Sequence, residues 1–428
     1  MIIAAILSSL IFIASLVLIF SEKVHRSIVA IAGGVLMVGV GKILGFYSEE
    51  AALAAIDFNT LGLLLGMMIL VAMLEPTGFF EYLAVLAARA SKGKPVRLFI
   101  LLGSITTILS MVLDNVTTVV LIAPVTILIS EILGVNAIPY LIAEALLSNT
   151  GGVATLVGDP PNVLIGSAAN LSFLDFLIHS LPIVTIVWAG ALFLLQYLFK
   201  DELSTPPRSA EAVMQLNPAE TLNEPENARR ILIVLGIAVF LFFIHHILHI
   251  APSLVALGTA AAALMWVQPD IHEVLRNVEW SVLIFFAALF VMVGGLESAG
   301  VLESIVGSLD RASHISPVLF GVSVIWIVAM LSAVVDNVPI TIAFIPVIQG
   351  LGQNGMDVGP LWWALAFGAG FGGNGTIIGS TANIIVATLS EKTRTPITSS
   401  LWNRRGLPVM LLTCAIASVL YMILFKTF

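Results

Sequence analysis

Charged residues are scarce in this chain: only 10% of its 428 residues are Asp, Glu, Lys or Arg, whereas 59% are hydrophobic. A soluble domain carries about 25% charged residues. So few charges cannot cover a water-facing surface, which argues against a soluble fold and indicates that lipid is the main solvent. The apolar stretches Ile2–Phe20 and Ile231–Leu248 approach or exceed the about 18 residues that span a bilayer core. Because the first stretch lacks a basic flank and a cleavage motif, we expect a retained span.

Cysteines and cofactor motifs are also missing. The one cysteine, Cys414, can form no disulfide within the chain and no cysteine metal cluster. The sequence contains no GxGxxG or Walker-type loop, no basic patch and no nucleophile–base pair on facing spans. We therefore expect no enzymatic activity, no bound cofactor, no nucleic-acid partner and no ATP-driven pump.

The basic residues are unevenly distributed between the loops. If the first loop is cytoplasmic, 15 of the 18 Lys and Arg residues fall on the cytoplasmic side, and Lys42, Arg311 and Lys426 fall on the other. The positive-inside rule then predicts that both termini lie outside the cytoplasm. We expect a multi-pass integral membrane protein, in the plasma (inner) membrane if the host is bacterial.

One long polar stretch divides the chain near its midpoint. Residues 200–230 contain four prolines and lie on the predicted cytoplasmic side, which is typical of a linker. The predicted segments are scaffold helices at 1–90, a transport unit at 91–199, the linker at 200–230, scaffold helices at 231–312 and a second transport unit at 313–428.

The two halves of the chain resemble each other. Displaced by 222 positions, Asp114-Asn115 aligns with Asp336-Asn337, and displaced by 221, Gly151–Asn162 aligns with Gly372–Asn383. A series of matches in one order indicates an internal duplication. Because the first half crosses the membrane an odd number of times, the second half starts from the opposite side. This predicts inverted repeats with a binding site near mid-membrane.

Two polar interruptions recur in each half. Each Asp-Asn pair stands between two apolar arms of roughly 15 residues, which is short for a span. The pairs therefore predict the tips of re-entrant hairpins, although two full spans would give the same parity. The second interruption, Ser148–Asn162 and Gly368–Asn383, is rich in Gly, Asn and Thr and predicts a helix broken at mid-span. Such backbone offers carbonyls to a cation and N–H groups to an anion.

Three aspartates, Asp114, Asp159 and Asp336, are expected at this depth. A charge there costs about 2.5–3.5 kcal/mol or more, which indicates function. Three carboxylates repel an anion unless cations or protons neutralise them. The substrate is therefore a cation, or an anion accompanied by Na⁺ or H⁺. The alternative interpretation is structural, with packing glycines and polar side chains that cap the hairpin tips.

The strings Leu113–Thr118 and Asn149–Asn162 resemble a known superfamily. It comprises arsenite permeases, NhaD-type sodium–proton antiporters and citrate-transporter-like permeases (ArsB/NhaD), and the P-protein-like branch is the most similar. The resemblance implies an all-α polytopic fold of two inverted-topology repeats. About ten transmembrane helices and two re-entrant hairpins with broken helices are expected. It also implies a scaffold that forms a homodimer and a transport unit that moves like an elevator.

The resemblance places ion and substrate binding at the tips and the breaks, and the same motifs supply a few further candidates. The candidates in the first half are Asp114, Asn115, Thr117, Thr118, Gly158, Asp159 and Asn162. Those in the second half are Asp336, Asn337, Asn374, Thr376, Gly379, Ser380 and Asn383. A Na⁺ ion would be held by Asp114, Asn115, Gly158, Asp336, Asn337 and Gly379. The two copies differ where Thr117 aligns with Pro339 and Asp159 with Ser380.

Together these features predict a secondary active transporter for a small inorganic ion or anion, coupled to Na⁺ or H⁺. A Na⁺/H⁺ antiporter is the first alternative. An arsenite or antimonite efflux permease and a passive anion channel are further alternatives. Dicarboxylate-carrying relatives have Ser-Asn-Thr at the tips, whereas this chain has Asp-Asn-Val, which disfavours a di- or tricarboxylate substrate.

Overall fold

The computed structural model describes residues 2–20, 23–301, 316–353, 355–393 and 395–428. Within these ranges every regular element is a helix, which confirms the all-α prediction. Arg311 and Arg394, which entered the orientation prediction, lie outside the described residues. The segment boundary predicted at residue 312 lies outside them as well.

The helices follow the order expected of a duplicated chain. The first half contains α1 (Ile2–Phe20), α2 (Arg26–Leu44), α3 (Glu49–Ala54), α4 (Phe58–Leu74), α5 (Phe79–Ser91), α6 (Pro95–Ser110), α7 (Asn115–Leu133), α8 (Ile138–Gly152), α9 (Pro160–Ala169), α10 (Phe173–His179) and α11 (Leu181–Leu198). The linker contains α12 (Lys200–Leu203) and α13 (Ala210–Gln215). The described part of the second half contains α14 (Pro225–Ile244), α15 (Pro252–Val267), α16 (Ile271–Asn277), α17 (Trp280–Ser298), α18 (Pro317–Ser332), α19 (Asn337–Gln353), α20 (Gly359–Gly372), α21 (Thr381–Ser390) and α22 (Ser399–Leu424).

The duplication extends to the helix boundaries. Displaced by 222 positions, α6 coincides with α18, and displaced by 221, α9 coincides with α21. Most of the segment that would correspond to α5, residues 302–313, lies outside the described residues. The repeat predicted from a few polar strings therefore governs almost the whole helix order.

The repeats pack reciprocally against each other. Helix α4 packs on α15, and their counterparts α17 and α2 pack on each other in the same way. The helix that follows each hairpin tip also contacts the helix that follows the break of the opposite repeat. Helix α7 contacts α21, and α19 contacts α9. Reciprocal pairing of equivalent elements is the pattern that a two-fold axis produces. Each repeat therefore completes the packing of the other.

The surface and the helix lengths fit a bilayer. Large apolar side chains are exposed on several helices, among them Ile43, Phe193, Met265 and Ile423, and an apolar surface of this kind suits lipid rather than water. Among the described residues, seven helices are long and apolar enough to cross a membrane. The number becomes eight if α9 and α10, which are bent by 109°, form one span. The predicted count of ten spans plus two hairpins stays a prediction.

The linker is docked on the first repeat. The backbone N–H of Asn223 donates to the carbonyl of Thr77 at 2.9 Å, and that of Arg208 donates to the carbonyl of Leu133 at 2.8 Å. Helix α5, which falls in the segment predicted as scaffold, packs against α6 and α7. The linker therefore holds the base of the first hairpin.

The α4–α15 contact depends on a glycine. A Cβ added at Gly66 of α4 would lie 2.5 Å from the backbone carbonyl carbon of Ala256 on α15. A Cβ added at Gly258, which also lies on α15, would meet nothing within 4 Å. We expect Gly66→Val to destabilise the protein by about 1–3 kcal/mol through overpacking, measured as a lower melting temperature in detergent. Gly258→Val is the matched control, and equal melting temperatures for the two variants would contradict this packing.

Candidate functional site

The two hairpin tips are held by their aspartates in different ways. Asp114 caps α7: its Oδ1 accepts the backbone N–H of Thr117 at 2.9 Å and its Oδ2 accepts the Thr117 hydroxyl at 2.5 Å. At the second tip, only one oxygen of Asp336 accepts a hydrogen bond from the adjoining backbone: its Oδ1 accepts the N–H of Val338 at 3.1 Å. Pro339 stands where Thr117 does in the first copy and offers no hydroxyl. Asp336 Oδ2 is therefore available to other groups.

Each broken helix is bridged by an asparagine. The side-chain amide of Asn162 donates to the carbonyls of Gly152 at 3.1 Å and Thr155 at 2.8 Å. In the second repeat, Asn383 donates to the carbonyls of Gly373 at 2.7 Å and Thr376 at 2.9 Å. These bonds satisfy carbonyls that the breaks at 153–159 and 373–380 leave without helical partners. Asn162 and Asn383 therefore stabilise the unwound segments.

Within each repeat, the break contacts the hairpin tip. The hydroxyls of Thr155 and Thr376 each donate at 2.5 Å to a tip carbonyl. A Cβ added at Gly158 would lie 2.5 Å from the carbonyl oxygen of Ser110, and one added at Gly379 would lie 3.0 Å from that of Ser332. Glycine is required at these two positions because the backbones approach so closely.

One buried amide joins the two repeats. The Asn149 Oδ1 accepts from the amide of Asn115 and the hydroxyl of Ser380, both at 3.0 Å. Its Nδ2 donates to the side-chain oxygens of Asn374 at 3.0 Å and Asn383 at 2.9 Å. A side-chain amide has two donor hydrogens and two acceptor positions, so Asn149 is fully satisfied. It connects the first hairpin tip to the break of the second repeat.

A carboxylate connects the break of the first repeat to the hairpin tip of the second. Asp159, which is 1% exposed, accepts from the amide of Asn337 at 3.2 Å and 3.0 Å through its two oxygens. Its counterpart Ser380 instead donates to the amide oxygen of Asn149. The pseudo-symmetric positions therefore differ in charge, as the sequence comparison predicts.

A small cavity of about 40 Å³ lies between the tips and the breaks. The charged residues among its described lining are Arg26, Asp114, Asp159, Glu279 and Asp336. Leu64, Met68, Val282 and two phenylalanines supply an apolar wall. In the described part of the chain, no three His, Cys, Asp or Glu side chains stand close enough to hold one metal ion. The carboxylates therefore line the cavity rather than converge on one point.

Arg26 links the wall of the cavity to the second tip. Its Nη1 donates to the Thr381 hydroxyl at 2.8 Å and to Asp336 Oδ2 at 3.3 Å, and the Thr381 hydroxyl donates to the same oxygen at 2.9 Å. The guanidinium carbon also lies 5.4 Å from the centroid of the Phe285 ring, within cation–π range. Arg26 begins α2, so α2 contacts the hairpin tip through one charged side chain.

The structure brings together only part of the predicted set. The candidates that line the cavity are Asp114, Asn115, Asp159, Asp336, Asn337 and Ser380. The candidates that instead support the tips, the breaks or the Asn149 cluster are Thr117, Gly158, Asn162, Asn374, Thr376, Gly379 and Asn383. Thr118 is buried, and its hydroxyl has no hydrogen-bond partner within the described ranges. Direct ion contact by any of these residues stays a prediction.

Sequence reasoning missed four contributors: Arg26, Asn149, Glu279 and Thr381. In the sequence, Arg26 contributes only to the count of basic residues that predicts the orientation in the membrane. Glu279 aligns with Asp57 at the displacement of 222, so the repeat carried a signal that an acid precedes both α4 and α17. Asn149 aligns with Gly370 at a displacement of 221. Because the second repeat has no side chain at this position, the comparison of the repeats gave no signal for Asn149.

Known proteins are similar to the chain along nearly its full length. A family model described as citrate transporter matches residues 16–368. An uncharacterized transporter of Mycobacterium tuberculosis is 40% identical, covering 97% of both chains. The P protein of Homo sapiens is 32% identical, covering 93% of this chain and 57% of that protein. These similarities confirm the superfamily that the polar strings suggested.

A solved structure has the same fold. The YdaH transporter of Alcanivorax borkumensis superposes with a TM-score of 0.64, covering 94% of this chain and 99% of that one. At 15% identity, this likeness bears on the fold alone. It confirms the all-α polytopic fold.

The Asn149 cluster yields a stability prediction. Asn149→Leu leaves four buried polar groups without their partner, and each costs about 1–3 kcal/mol. We expect a clear loss of thermal stability in detergent, with protein that still inserts into membranes. Asn217→Leu in the exposed linker is the control, since its amide serves a local turn. Wild-type melting of Asn149→Leu would show that the cluster does not hold the repeats together.

Proposed function

This chain belongs to the citrate transporter family, and from that premise we propose that it is a secondary active transporter. We propose that it moves a small inorganic ion or anion, coupled to Na⁺ or H⁺. The observation that carries the proposal is the cavity between the repeats, where Asp114, Asp159, Glu279 and Asp336 face a single guanidinium. The chain itself is a multi-pass membrane protein of a transporter family, so this cavity is the natural place for a transported ion.

The charge balance of the cavity favours cation or proton binding. Four carboxylates and one arginine leave an excess of negative charge, which is costly at membrane depth. Bound Na⁺ or protons would reduce the repulsion between the carboxylates. Unwound backbone of the kind found at the two breaks coordinates Na⁺ through its carbonyls in other secondary transporters. The described residues offer no set suited to a resident transition metal.

The lining of the cavity also supports an elevator mechanism. One wall comes from α2, α4 and α17, and the other from the hairpin tips and breaks. The first wall contains the apolar side chains of Leu64, Phe285 and Phe286, which face the tips and breaks. A tip with uncompensated carboxylates would pass this apolar surface at high cost. A tip neutralised by cations would pass more easily, which is how binding would be coupled to movement.

Arg26 favours an anionic co-substrate as the second candidate. It is the one basic side chain in the described lining, and a guanidinium suits a carboxylate or oxyanion. The family model's description as citrate transporter points the same way. The Asp-Asn-Val tips point instead to inorganic cations, as in a Na⁺/H⁺ antiporter. The two candidates differ in whether Arg26 binds the substrate or only balances charge.

The first test removes the carboxylates singly. We expect Asp159→Asn and Asp336→Asn each to lower Na⁺- or H⁺-gradient-driven flux in proteoliposomes by about tenfold or more, equivalent to about 1.4 kcal/mol. Both substitutions preserve size and remove the negative charge. Uptake of citrate, arsenite and chloride, together with internal pH, would be recorded under separate Na⁺ and pH gradients. Asp201→Asn in the exposed linker is the control. Wild-type rates in both cavity variants would refute the site.

The second test asks what Arg26 does. If an anion is carried, Arg26→Gln should reduce its uptake about tenfold or more, while the apparent affinity for Na⁺ stays equal or rises because a positive charge has gone. Arg230→Gln is the matched control, since Arg230 pairs with Glu226 outside the cavity. Faster Na⁺/H⁺ exchange with no anion uptake in either protein would select the antiporter instead.

A further inference from the structure

A polar stripe runs along α8 in the first repeat alone. Tyr140, Glu144 and Ser148 are spaced four residues apart, which places neighbours on adjoining turns of one face, and all three are buried. At the displacement of 221, the second repeat has Leu361, Leu365 and Ala369 at these positions. The duplication has therefore kept the helix and changed the chemistry of one stripe.

Glu144 is the acid in this stripe. It is 0% exposed, and its Oε1 accepts the Thr126 hydroxyl of α7 at 2.5 Å. Its Oε2 is buried and has no hydrogen-bond partner among the residues that the structure describes. Thr126 aligns with Ile348 in the second repeat, so the hydroxyl and the acid are absent together from the other copy.

The stripe joins the tip of the first hairpin to its base. At one end, the Ser148 hydroxyl contacts the carbonyl of Asn115 at 3.0 Å and the hydroxyl of Ser110 at 3.2 Å, and Asn115 lines the cavity. At the other end, the Tyr140 hydroxyl donates to the carbonyl of Pro95 at 3.4 Å, where α6 begins. Glu144 lies midway between the two.

On the described helices that pack against α8, no charged side chain pairs with Glu144. The helices that pack on α8 are α6, α7, α11, α20, α21 and α22. Their charged residues are Arg97, Glu131, Arg404 and Arg405. Arg97, Glu131 and Arg404 are exposed, and Arg405 pairs with Glu202 at 3.1 Å. The uncharged titratable groups of these helices and of α8 are Tyr140, Tyr197, Cys414 and Tyr421.

The fold itself does not require an acid here. Leucine occupies the equivalent position, Leu365, in a helix that keeps five of the six packing partners by symmetry. A buried carboxylate with one unsatisfied oxygen is expensive, whereas the neutral acid is tolerated. A costly group that packing does not need is expected to have a function.

We propose that Glu144 is a proton-binding residue of the transport cycle, separate from the cavity. The proton is held on Oε2, and its loss leaves a carboxylate that receives one hydrogen bond from Thr126. Tyr140 and Ser148 lie one helical turn to either side of Glu144, toward the base and the tip of the hairpin, respectively. This inference rests on the proposed function and deepens it, because it names H⁺ as a coupling ion.

The transport experiment uses the full-length protein in liposomes loaded with the pH dye pyranine. In wild type, an imposed Na⁺ gradient should move protons. Glu144→Gln, which is isosteric and cannot release a proton, should reduce this proton movement about tenfold or more. It should also flatten the pH dependence of radioactive sodium uptake. Sodium-for-sodium exchange, which needs no net proton, should change by no more than about twofold. Glu131→Gln on the exposed face of α7 is the matched control.

A spectroscopic readout does not depend on transport. A protonated buried carboxyl gives an infrared carbonyl band that titrates with pH, and this band should be present in wild type and Glu131→Gln and absent from Glu144→Gln. If Glu144→Gln fails to fold, the same infrared titration of Thr126→Val tests the inference. Loss of the donated hydrogen bond should shift the titration of the band toward higher pH, and an unchanged titration would overturn the inference.

The outcomes separate this inference from the proposed function. If wild type couples solute flux to Na⁺ but moves no protons, or if Glu144→Gln moves them normally, Glu144 has no such role and the transporter proposal stands. If no gradient drives any flux in wild type, the proposed function fails, and the infrared band alone decides whether Glu144 holds a proton.

Discussion

The architecture depends on satisfying backbone that is not helical inside a membrane. Lipid offers no hydrogen bonds, so each carbonyl freed at a broken helix needs a partner within the protein. Asn162 and Asn383 supply that partner within their own repeats. Asn149 then joins the first tip to the opposite break. Each unwound segment is thus held within its own repeat, and the cavity lies where the two breaks meet the two hairpin tips.

Symmetry and its violations have different roles in this molecule. The symmetric contacts are structural: Thr155 and Thr376 bind equivalent tip carbonyls, and Gly158 and Gly379 allow equivalent close approaches. Two of the asymmetric positions instead change charge. Where one repeat has a carboxylate, the other has a hydroxyl at Ser380 or a leucine at Leu365. Duplication thus supplied a stable frame, and later divergence could alter individual polar groups without disturbing it.

The contact between Arg26 and Asp336 sets a condition on any movement of the hairpins. A guanidinium near a carboxylate in a partly buried site balances its charge, and separating the two leaves each charge uncompensated. Their side chains are 29% and 18% exposed, respectively, so water reaches the pair only in part. In an elevator mechanism, ions bound in the cavity would have to replace Arg26 as the compensation for Asp336. Substrate binding and release of this ion pair would then be linked.

The sequence by itself determined the lipid environment, the helical class and the duplication. It also singled out the three aspartates that line the cavity, Asp114, Asp159 and Asp336. These follow from local composition and from repeated strings, which are visible along the chain. Only the tertiary structure decided that Arg26 and Glu279 share the cavity with those aspartates, and that Asn149 joins the repeats. Their partners lie hundreds of positions away in the chain, and Asn149 and Arg26 have no equivalent in the other repeat. Contacts across a pseudo-two-fold axis are set by packing, and no local pattern encodes them.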